Sequence, residues 1–272
     1  MIGPNRVRRE VSLDILDYAP VCLNSLLYAM ERDMAAILDE LGSVGGSGPW
    51  IQAAARRAAR VRELMWDQKQ GLFFDYDFAN GRQSSYPYAA TFFPLWVGLA
   101  TPEQARRVGQ AALPRFLRPG GLVTSERTTG EQWDAPFGWA PLQLVAFEGL
   151  RRYGLDDDAN RLAVRFLGTV LRVFVARRSV YEKYDVERRT AEVERALTFG
   201  YGSNEVGFGW TNGVVRVLED ALGPTWRSAI VASAAGEPDP RPDGPVKPGG
   251  SARAPSSYEK TSAGPGGPSS TR

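Results

Sequence analysis

The 272-residue sequence contains no histidine. Histidine is the commonest general base at neutral pH and the commonest metal ligand, and Ser-His and Cys-His catalytic pairs depend on it. There is also a single cysteine, Cys22, so an intrachain disulfide and a CxxC metal or redox motif are both excluded. The chemistry that remains uses carboxylates, tyrosine, lysine or hydroxyl groups. Cys22 lies in an apolar helical pattern, and we expect it to be a buried, inert thiol.

Neither sign of charge dominates the chain, since 33 Lys and Arg stand against 31 Asp and Glu. The basic stripe typical of nucleic-acid-binding proteins is lacking, so we expect no nucleic-acid partner. No apolar run reaches the roughly 18 residues that span a membrane, and the basic N-terminus lacks the apolar core of a signal peptide. We therefore expect no membrane partner and a cytoplasmic protein, or a periplasmic one if N-terminal residues have been lost.

Apolar residues recur at three- and four-residue spacing between short turns marked by glycine and proline, which predicts an all-α protein. Thr101 and Pro102 have the residue types of an N-cap and a first helical position. The predicted helices cover residues 23–41, 51–66, 88–99, 102–116, 141–153, 157–177 and 211–222.

A weak repeat joins these helices. Short extended segments follow helices at residues 71–77, 121–125 and 179–185, with a period of about 50 residues. Two helices per repeat indicate helical hairpins around an axis, whose loops converge on a central pocket. Residues 229–272 are rich in proline, glycine and serine, and we expect a disordered tail there. The predicted organisation is a leader at 1–18, a helical domain at 19–228 and this tail.

The segment from Gln132 to Gln143, QWDAPFGWAPLQ, contains two tryptophans, two prolines, a carboxylate and two amides. Sugar pockets combine aromatic faces, which stack on ring C–H groups, with fixed donors and acceptors for the hydroxyls. The composition of this segment therefore favours a carbohydrate site.

As a string, QWDAPFGWAPLQ resembles the second signature of the α,α-trehalase family of glycoside hydrolases. Two further strings, EKYD at 182–185 and GFGWTNG at 207–213, resemble the same family in the same order. The resemblance implies an (α/α)6 toroid, of which this chain would carry about three helical hairpins, from residue 19 to 222. It covers the C-terminal half of the family. The family's Ser-Gly-Trp-Asp segment, with its catalytic acid, has no counterpart in the sequence and would precede residue 1.

The resemblance also implies roles for individual residues. Inverting glycoside hydrolysis uses one carboxylic acid and one carboxylate base, and Glu182 matches the family's general base. Lys183 and Asp185 are placed to tune it. No metal or cofactor is required, and the expected partner is a disaccharide. The predicted sugar-binding residues are Gln132, Trp133, Asp134, Glu205, Phe208 and Trp210.

Purely structural interpretations stay open beside these roles. Glu182 could be a surface-loop glutamate, and Trp139, Phe208 and Trp210 could serve packing alone. Asp75 and Asp77 are expected to cap neighbouring backbone. Thr211 and Asn212 are candidate N-terminal caps of the last helix.

One departure from the family lies in residues 186–203, which are charged where relatives have a glycine-rich lid. Glu192, Glu194 or Glu205 could replace the lid glutamate. Three functions therefore remain: trehalose hydrolysis, a half-toroid without activity that binds sugar or self-associates through its exposed helix faces, and hydrolysis of another α-glucoside.

Overall fold

The computed structural model describes residues 14–42, 45–193 and 203–242. Helices dominate this part of the chain, as predicted, and none of them is both long and apolar enough to cross a bilayer. The α-helices are α1 (Val21–Glu40), α2 (Gly48–Leu64), α3 (Phe93–Trp96), α4 (Pro102–Phe116), α5 (Ala140–Arg152), α6 (Asp156–Arg177), α7 (Gly209–Leu222) and α8 (Arg227–Ala235).

Short antiparallel strands connect the helices and confirm the predicted extended segments. One sheet has the order β1-β4-β5, and the other strands form the pairs β2-β3, β6-β7 and β8-β9. Their bounds are β1 (Tyr18–Ala19), β2 (Trp66–Asp67), β3 (Leu72–Phe73), β4 (Tyr76–Asp77), β5 (Arg82–Gln83), β6 (Leu117–Arg118), β7 (Gly121–Leu122), β8 (Phe137–Trp139) and β9 (Lys183–Asp185).

The helices form two layers. Helices α1, α3, α5 and α7 contact one another in series, while α2 packs on α1 and α6 packs on α5. The core between them is apolar and aromatic, with Phe92, Phe116 and Phe166 fully buried. This arrangement is the partial toroid of helical hairpins that the sequence predicts.

One predicted helix is wrong in detail. Residues 88–99 form a 3-10 turn at Ala89–Phe92, followed by the single helical turn of α3. Pro94 has no N–H to donate to the preceding turn, and it lies in the first turn of α3, where a helix tolerates proline because that N–H needs no partner within the helix. In contrast, the predicted start of α4 is confirmed. Thr101 is the N-cap residue, Pro102 is the first helical residue, and the side chains of Thr101 and Gln104 form a reciprocal capping box.

The predicted start of a disordered tail at residue 229 is also wrong. Helix α8 continues to Ala235 and packs on α6, burying Ala229, Ile230 and Ser233. The Pro/Gly-rich composition begins only after α8, because residues 229–235 (AIVASAA) contain neither proline nor glycine. Beyond the helix, Asp239 accepts hydrogen bonds from Arg165 at 2.6 and 2.7 Å. The rest of the predicted tail, residues 243–272, lies outside the described residues, as do residues 1–13.

Helix α1 has an exposed apolar face, which we name the α1 stripe. Its members are Leu23, Leu26, Met30 and Ile37, each between 43% and 50% exposed. They lie on one side of α1, while α2 and α3 cover other parts of it. The layer of odd-numbered helices therefore ends at α1 with apolar side chains in water.

The contact between α6 and α8 gives a stability prediction. A Cβ added at Gly168 of α6 would lie 2.7 Å from the Cβ of Ser233 and 3.1 Å from the backbone N of Ala234. We expect Gly168→Ala to push α8 outward and lower the free energy of unfolding by about 1–3 kcal/mol, measured by chemical denaturation.

The matched control is Gly213→Ala in α7, where nothing lies within 4 Å of the added methyl group. Alanine is a better helix former than glycine, so this change should stabilise the protein by up to about 1 kcal/mol. Equal effects of the two substitutions would contradict the α6–α8 packing.

Candidate functional site

Two of the sequence strings meet through strands β8 and β9. The register pairs Phe137 with Asp185, Gly138 with Tyr184 and Trp139 with Lys183. Gly138 is required there, because a Cβ at this position would lie 2.7 Å from the carbonyl oxygen of Leu122. The pairing brings the QWD segment beside the EKYD segment, although about 50 residues separate them along the chain.

Glu182 immediately precedes β9 and is only 2% exposed. Its Oε2 lies 3.0 Å from Nζ of Lys183. Its backbone N–H donates to the carbonyl of Glu205 at 2.9 Å, and its carbonyl accepts from Nε1 of Trp210 at 3.2 Å. The interpretation of Glu182 as a surface-loop glutamate is therefore wrong.

The Lys183 side chain is fully buried. Its ammonium donates to Glu182 and to the carbonyl of Ser203, and it lies 5.2 Å from the ring centroid of Trp139. A buried cation needs such partners, because desolvation of an unpaired charge costs several kcal/mol. The ammonium thus links the carboxylate of Glu182 to the indole cluster.

Four aromatic side chains of the QWD and GFGW segments form this cluster. Trp133 stacks on Trp139 with ring centroids 4.0 Å apart and planes within 6°. The ring of Trp210 is nearly perpendicular to that of Trp139, with centroids 5.6 Å apart, and the ring centroids of Phe208 and Trp210 are 4.7 Å apart. Trp139 is buried as the packing interpretation expects, whereas Trp133 is 45% exposed and turns one face outward.

Gln132 carries an unsatisfied acceptor. Its Oε1 is buried without a hydrogen-bond donor, while its backbone carbonyl accepts from Nε1 of Trp139 at 2.9 Å. A buried acceptor without a partner costs about 1–3 kcal/mol. A sugar hydroxyl is a donor of the kind that this oxygen lacks.

Asp134 lies in a cluster of hydroxyl groups from the same chain. Its Oδ1 accepts from Oγ of Ser125 at 2.8 Å and from the hydroxyl of Tyr86, and its Oδ2 accepts from Thr129. The carboxylate is nearly buried. Its predicted contact with a sugar hydroxyl stays a prediction.

Glu205 and Phe208 lie on the segment that runs along Glu182. The Glu205 side chain is exposed and accepts from Oγ of Ser203 at 2.7 Å. Among the other lid candidates, Glu192 is exposed and paired with Arg177, and Glu194 lies outside the described residues.

Two predicted caps at the start of α7 are wrong. The helix begins at Gly209, with Phe208 as its N-cap residue. Thr211 instead donates to the carbonyl of Tyr181 at 2.8 Å, and Asn212 donates to that of Phe208 at 3.1 Å. The hydroxyl of Thr211 thus ties α7 to the Glu182 segment.

Asp75 and Asp77 hold backbone groups, as expected. Oδ1 of Asp75 accepts from the N–H of Val21 at 2.8 Å and from the hydroxyl of Tyr88 at 3.0 Å. Asp77 accepts from the backbone and side chain of Asn80. Cys22, beside this cluster, is half-buried, and burial is the main cause of the raised pKa of its thiol.

Sequence reasoning missed Tyr86, Ser125 and Thr129 as partners of Asp134. No local signal identifies them, because the hydroxyl groups come from three positions 48, 9 and 5 residues away. Within the described residues, no cluster of three His, Cys, Asp or Glu side chains is arranged to hold a metal ion.

Comparison with known proteins agrees with the geometry. The family model described as Trehalase matches residues 3–223. The chain is 38% identical over 209 residues to periplasmic trehalases of Salmonella agona (strain SL483) and Salmonella newport (strain SL254). These matches cover 75% of this chain and 35% of each relative, so the chain spans about a third of the length of these curated relatives.

Solved structures of other proteins share the fold of this chain. Neutral trehalase Nth1 from Saccharomyces cerevisiae superposes with a TM-score of 0.68 at 36% identity, over 82% of this chain and 41% of the yeast chain. The GH63 mannosylglycerate hydrolase of Thermus thermophilus shares the fold, with a TM-score of 0.55 at 22% identity over 74% of this chain and 47% of its own. The helical hairpins and their connecting strands thus define a toroid protein of the glycoside hydrolase type. Within that class, the chain belongs to the trehalase family.

The buried carboxylate of Asp75 gives a pH prediction. Burial is the main cause that raises the pKa of Asp75 above 3.8, against the hydrogen bonds from Val21 and Tyr88 that lower it. A carboxyl with a raised pKa binds its proton more tightly in the folded state. Its contribution to stability is therefore complete below pH 3.8 and is lost as the pH rises through the raised value.

Asp75→Asn should abolish this part of the pH dependence. We expect the free energy of unfolding of the variant, relative to the parent, to rise between about pH 4 and about pH 7. Urea denaturation at the two pH values measures it. A relative stability that falls or stays constant over this range would contradict the assignment.

Proposed function

We propose that this chain provides the base-bearing part of an inverting α,α-trehalose hydrolase, with Glu182 as the general base. The observation that carries the proposal is the burial of Glu182 against Lys183 and the indole cluster. Membership of the trehalase family and the names of the relatives support the substrate. Because the chain spans only part of their length, trehalose hydrolysis itself is included in the proposal.

In this mechanism Glu182 takes a proton from a water molecule as the water oxygen attacks the anomeric carbon. The bond from that carbon to the glycosidic oxygen breaks, and the leaving glucose takes a proton from a carboxylic acid on the opposite side. The family resemblance assigns this acid to an aspartate in a segment that the sequence does not contain. The residues of this chain therefore account for water activation.

The proposal includes the sugar-binding residues. The outer face of Trp133 provides a platform for the C–H face of a pyranose ring, and Oε1 of Gln132 is an acceptor for a sugar hydroxyl. Phe208 and Trp210 support the platform from behind, through Trp139. Glu205 borders the base through its backbone, and its exposed carboxylate is a further hydroxyl acceptor.

α-D-Glucosyl fluoride tests the base separately from the acid, because fluoride leaves with little need of protonation. We expect the full chain to release fluoride and to form β-glucose first, followed with a fluoride electrode and by NMR. Glu182→Gln should lower the rate by about 10²–10⁴-fold, since a positioned base contributes that much.

The matched control for this test is Glu187→Gln. Glu187 belongs to the same segment but is about half exposed and pairs with Arg118 at 3.3 Å. This variant should keep the parent rate. Fluoride release that is as fast in Glu182→Gln as in the parent would remove Glu182 from the mechanism.

Sugar binding without hydrolysis is the second candidate function. It is favoured by Trp133 and Gln132, whose binding features do not depend on an acid. We expect Trp133→Ala to weaken trehalose binding roughly fivefold in calorimetry, for the loss of about 1 kcal/mol of stacking.

Phe78→Ala is the control for this substitution, because Phe78 is 57% exposed in the turn between β4 and β5. It should leave the dissociation constant unchanged. Binding with no fluoride release would favour the second function. Equal binding by Trp133→Ala and the parent would contradict the platform.

The location and assembly of the protein belong to the same proposal. Relatives are named periplasmic trehalases, which supports a periplasmic location for this chain. The expected cytoplasmic location has no support from these relatives. The α1 stripe is the surface that we propose for self-association, because it is apolar and exposed.

A further inference from the structure

The carboxylate of Asp134 joins three separate parts of the chain. Its donors are Tyr86 after β5, Ser125 after β7 and Thr129 in the loop before the QWD segment. A carboxylate has about four lone-pair positions, and three of them are taken by these hydroxyl groups. The protein's own hydroxyl groups thus use most of the acceptor capacity of this carboxylate, and about one position is left for a further donor.

Tyr86 is itself held in place from two sides. Its ring stacks on Tyr88 with centroids 5.5 Å apart and planes at 26°, and the guanidinium carbon of Arg127 lies 4.7 Å from its centroid. Tyr88 in turn donates to Asp75. Burial, followed by the carboxylate of Asp134, raises the pKa of Tyr86, so its hydroxyl remains a donor at neutral pH.

The loop around Asp134 is fixed by its backbone as well. The N–H of Ala135 donates to the carbonyl of Arg127 at 2.8 Å, and the N–H of Phe137 donates to that of Asp134 at 2.9 Å. Trp133 is the residue directly before Asp134, and it stacks on Trp139 on the far side. Trp133 and Asp134 share a peptide bond, so the backbone of Trp133 is connected directly to the residue that Tyr86 contacts.

We propose that Tyr86 is a positioning residue, which sets the orientation of the Trp133 platform by holding the carboxylate of Asp134. In this assignment Asp134 acts on the sugar through Trp133 and does not need to contact it. The role of the platform in sugar binding rests on the proposed function. The hydrogen bond by which Tyr86 holds the Asp134 loop does not depend on the proposed function.

The first experiment measures, without any substrate, how far the Tyr86 hydroxyl stabilises the Asp134 loop. Tyr86→Phe removes only the hydroxyl group, and we expect amide hydrogen exchange at Ala135 and Phe137 to become about tenfold faster. Thr129→Val, which removes the donor to the other oxygen, should increase exchange at the same amides.

Tyr153→Phe is the matched control for this experiment. Its hydroxyl donates to the carbonyl of Ala100 at 2.6 Å, and its burial is similar to that of Tyr86. This variant should leave exchange at Ala135 and Phe137 unchanged. Exchange at these amides that is the same in Tyr86→Phe as in the parent would overturn the proposal.

The second experiment is a double-mutant cycle with trehalose as the ligand. We expect Tyr86→Phe to weaken binding about threefold in the parent background and to have no effect in the Trp133→Ala background, because it acts through that indole. Additive losses in the two backgrounds would overturn action through Trp133.

The two proposals fail differently. A chain that binds no trehalose in any variant contradicts the proposed function and the role of the platform in sugar binding, while the exchange rates still decide whether Tyr86 holds the loop. A chain that binds trehalose but shows unchanged exchange contradicts the positioning role alone.

Discussion

The pairing of β8 with β9 places the candidate base next to the aromatic platform. Only three residue pairs form this ladder, yet they set Trp139 opposite Lys183 and so bring the QWD loop to Glu182. A ladder this short is marginal by itself. Helix packing stabilises it from both sides, because α5 follows β8 directly and the Thr211 hydroxyl fastens α7 to the Glu182 segment. Local strand geometry and the helical layers therefore depend on each other at this point.

Most of the buried polar groups around the β8–β9 ladder have hydrogen-bonding or ionic partners within the chain. Lys183 has a carboxylate, a carbonyl and an indole face, and Asp134 has three hydroxyl groups. The side-chain oxygen of Gln132 is an exception at a position beside the exposed indole. Fully satisfied groups make a site rigid, whereas an unsatisfied acceptor marks the place where an incoming hydroxyl group would be stabilised most.

Periodicity predicted most of the fold, because long amphipathic helices such as α1, α4 and α6 carry their own pattern. Helix α8 was not predicted, because a short alanine-rich helix beside a Pro/Gly-rich stretch has little hydrophobic periodicity. Its packing against Gly168 of α6 is a tertiary contact that the local sequence does not reveal. The strings that resemble the trehalase family singled out Glu182 and the tryptophans, and the structure brings these residues together. The partners of Asp134 could not be read from the sequence, because Tyr86 reaches it from 48 residues away through tertiary packing.

The α1 stripe has a consequence for the energetics of this surface. Apolar surface in water costs about 25 cal/mol for each Å² that stays uncovered, so any surface that fits over Leu23, Leu26 and Met30 gains affinity from burial alone. Helix α1 thus ends the layer of odd-numbered helices with an apolar side that burial would stabilise.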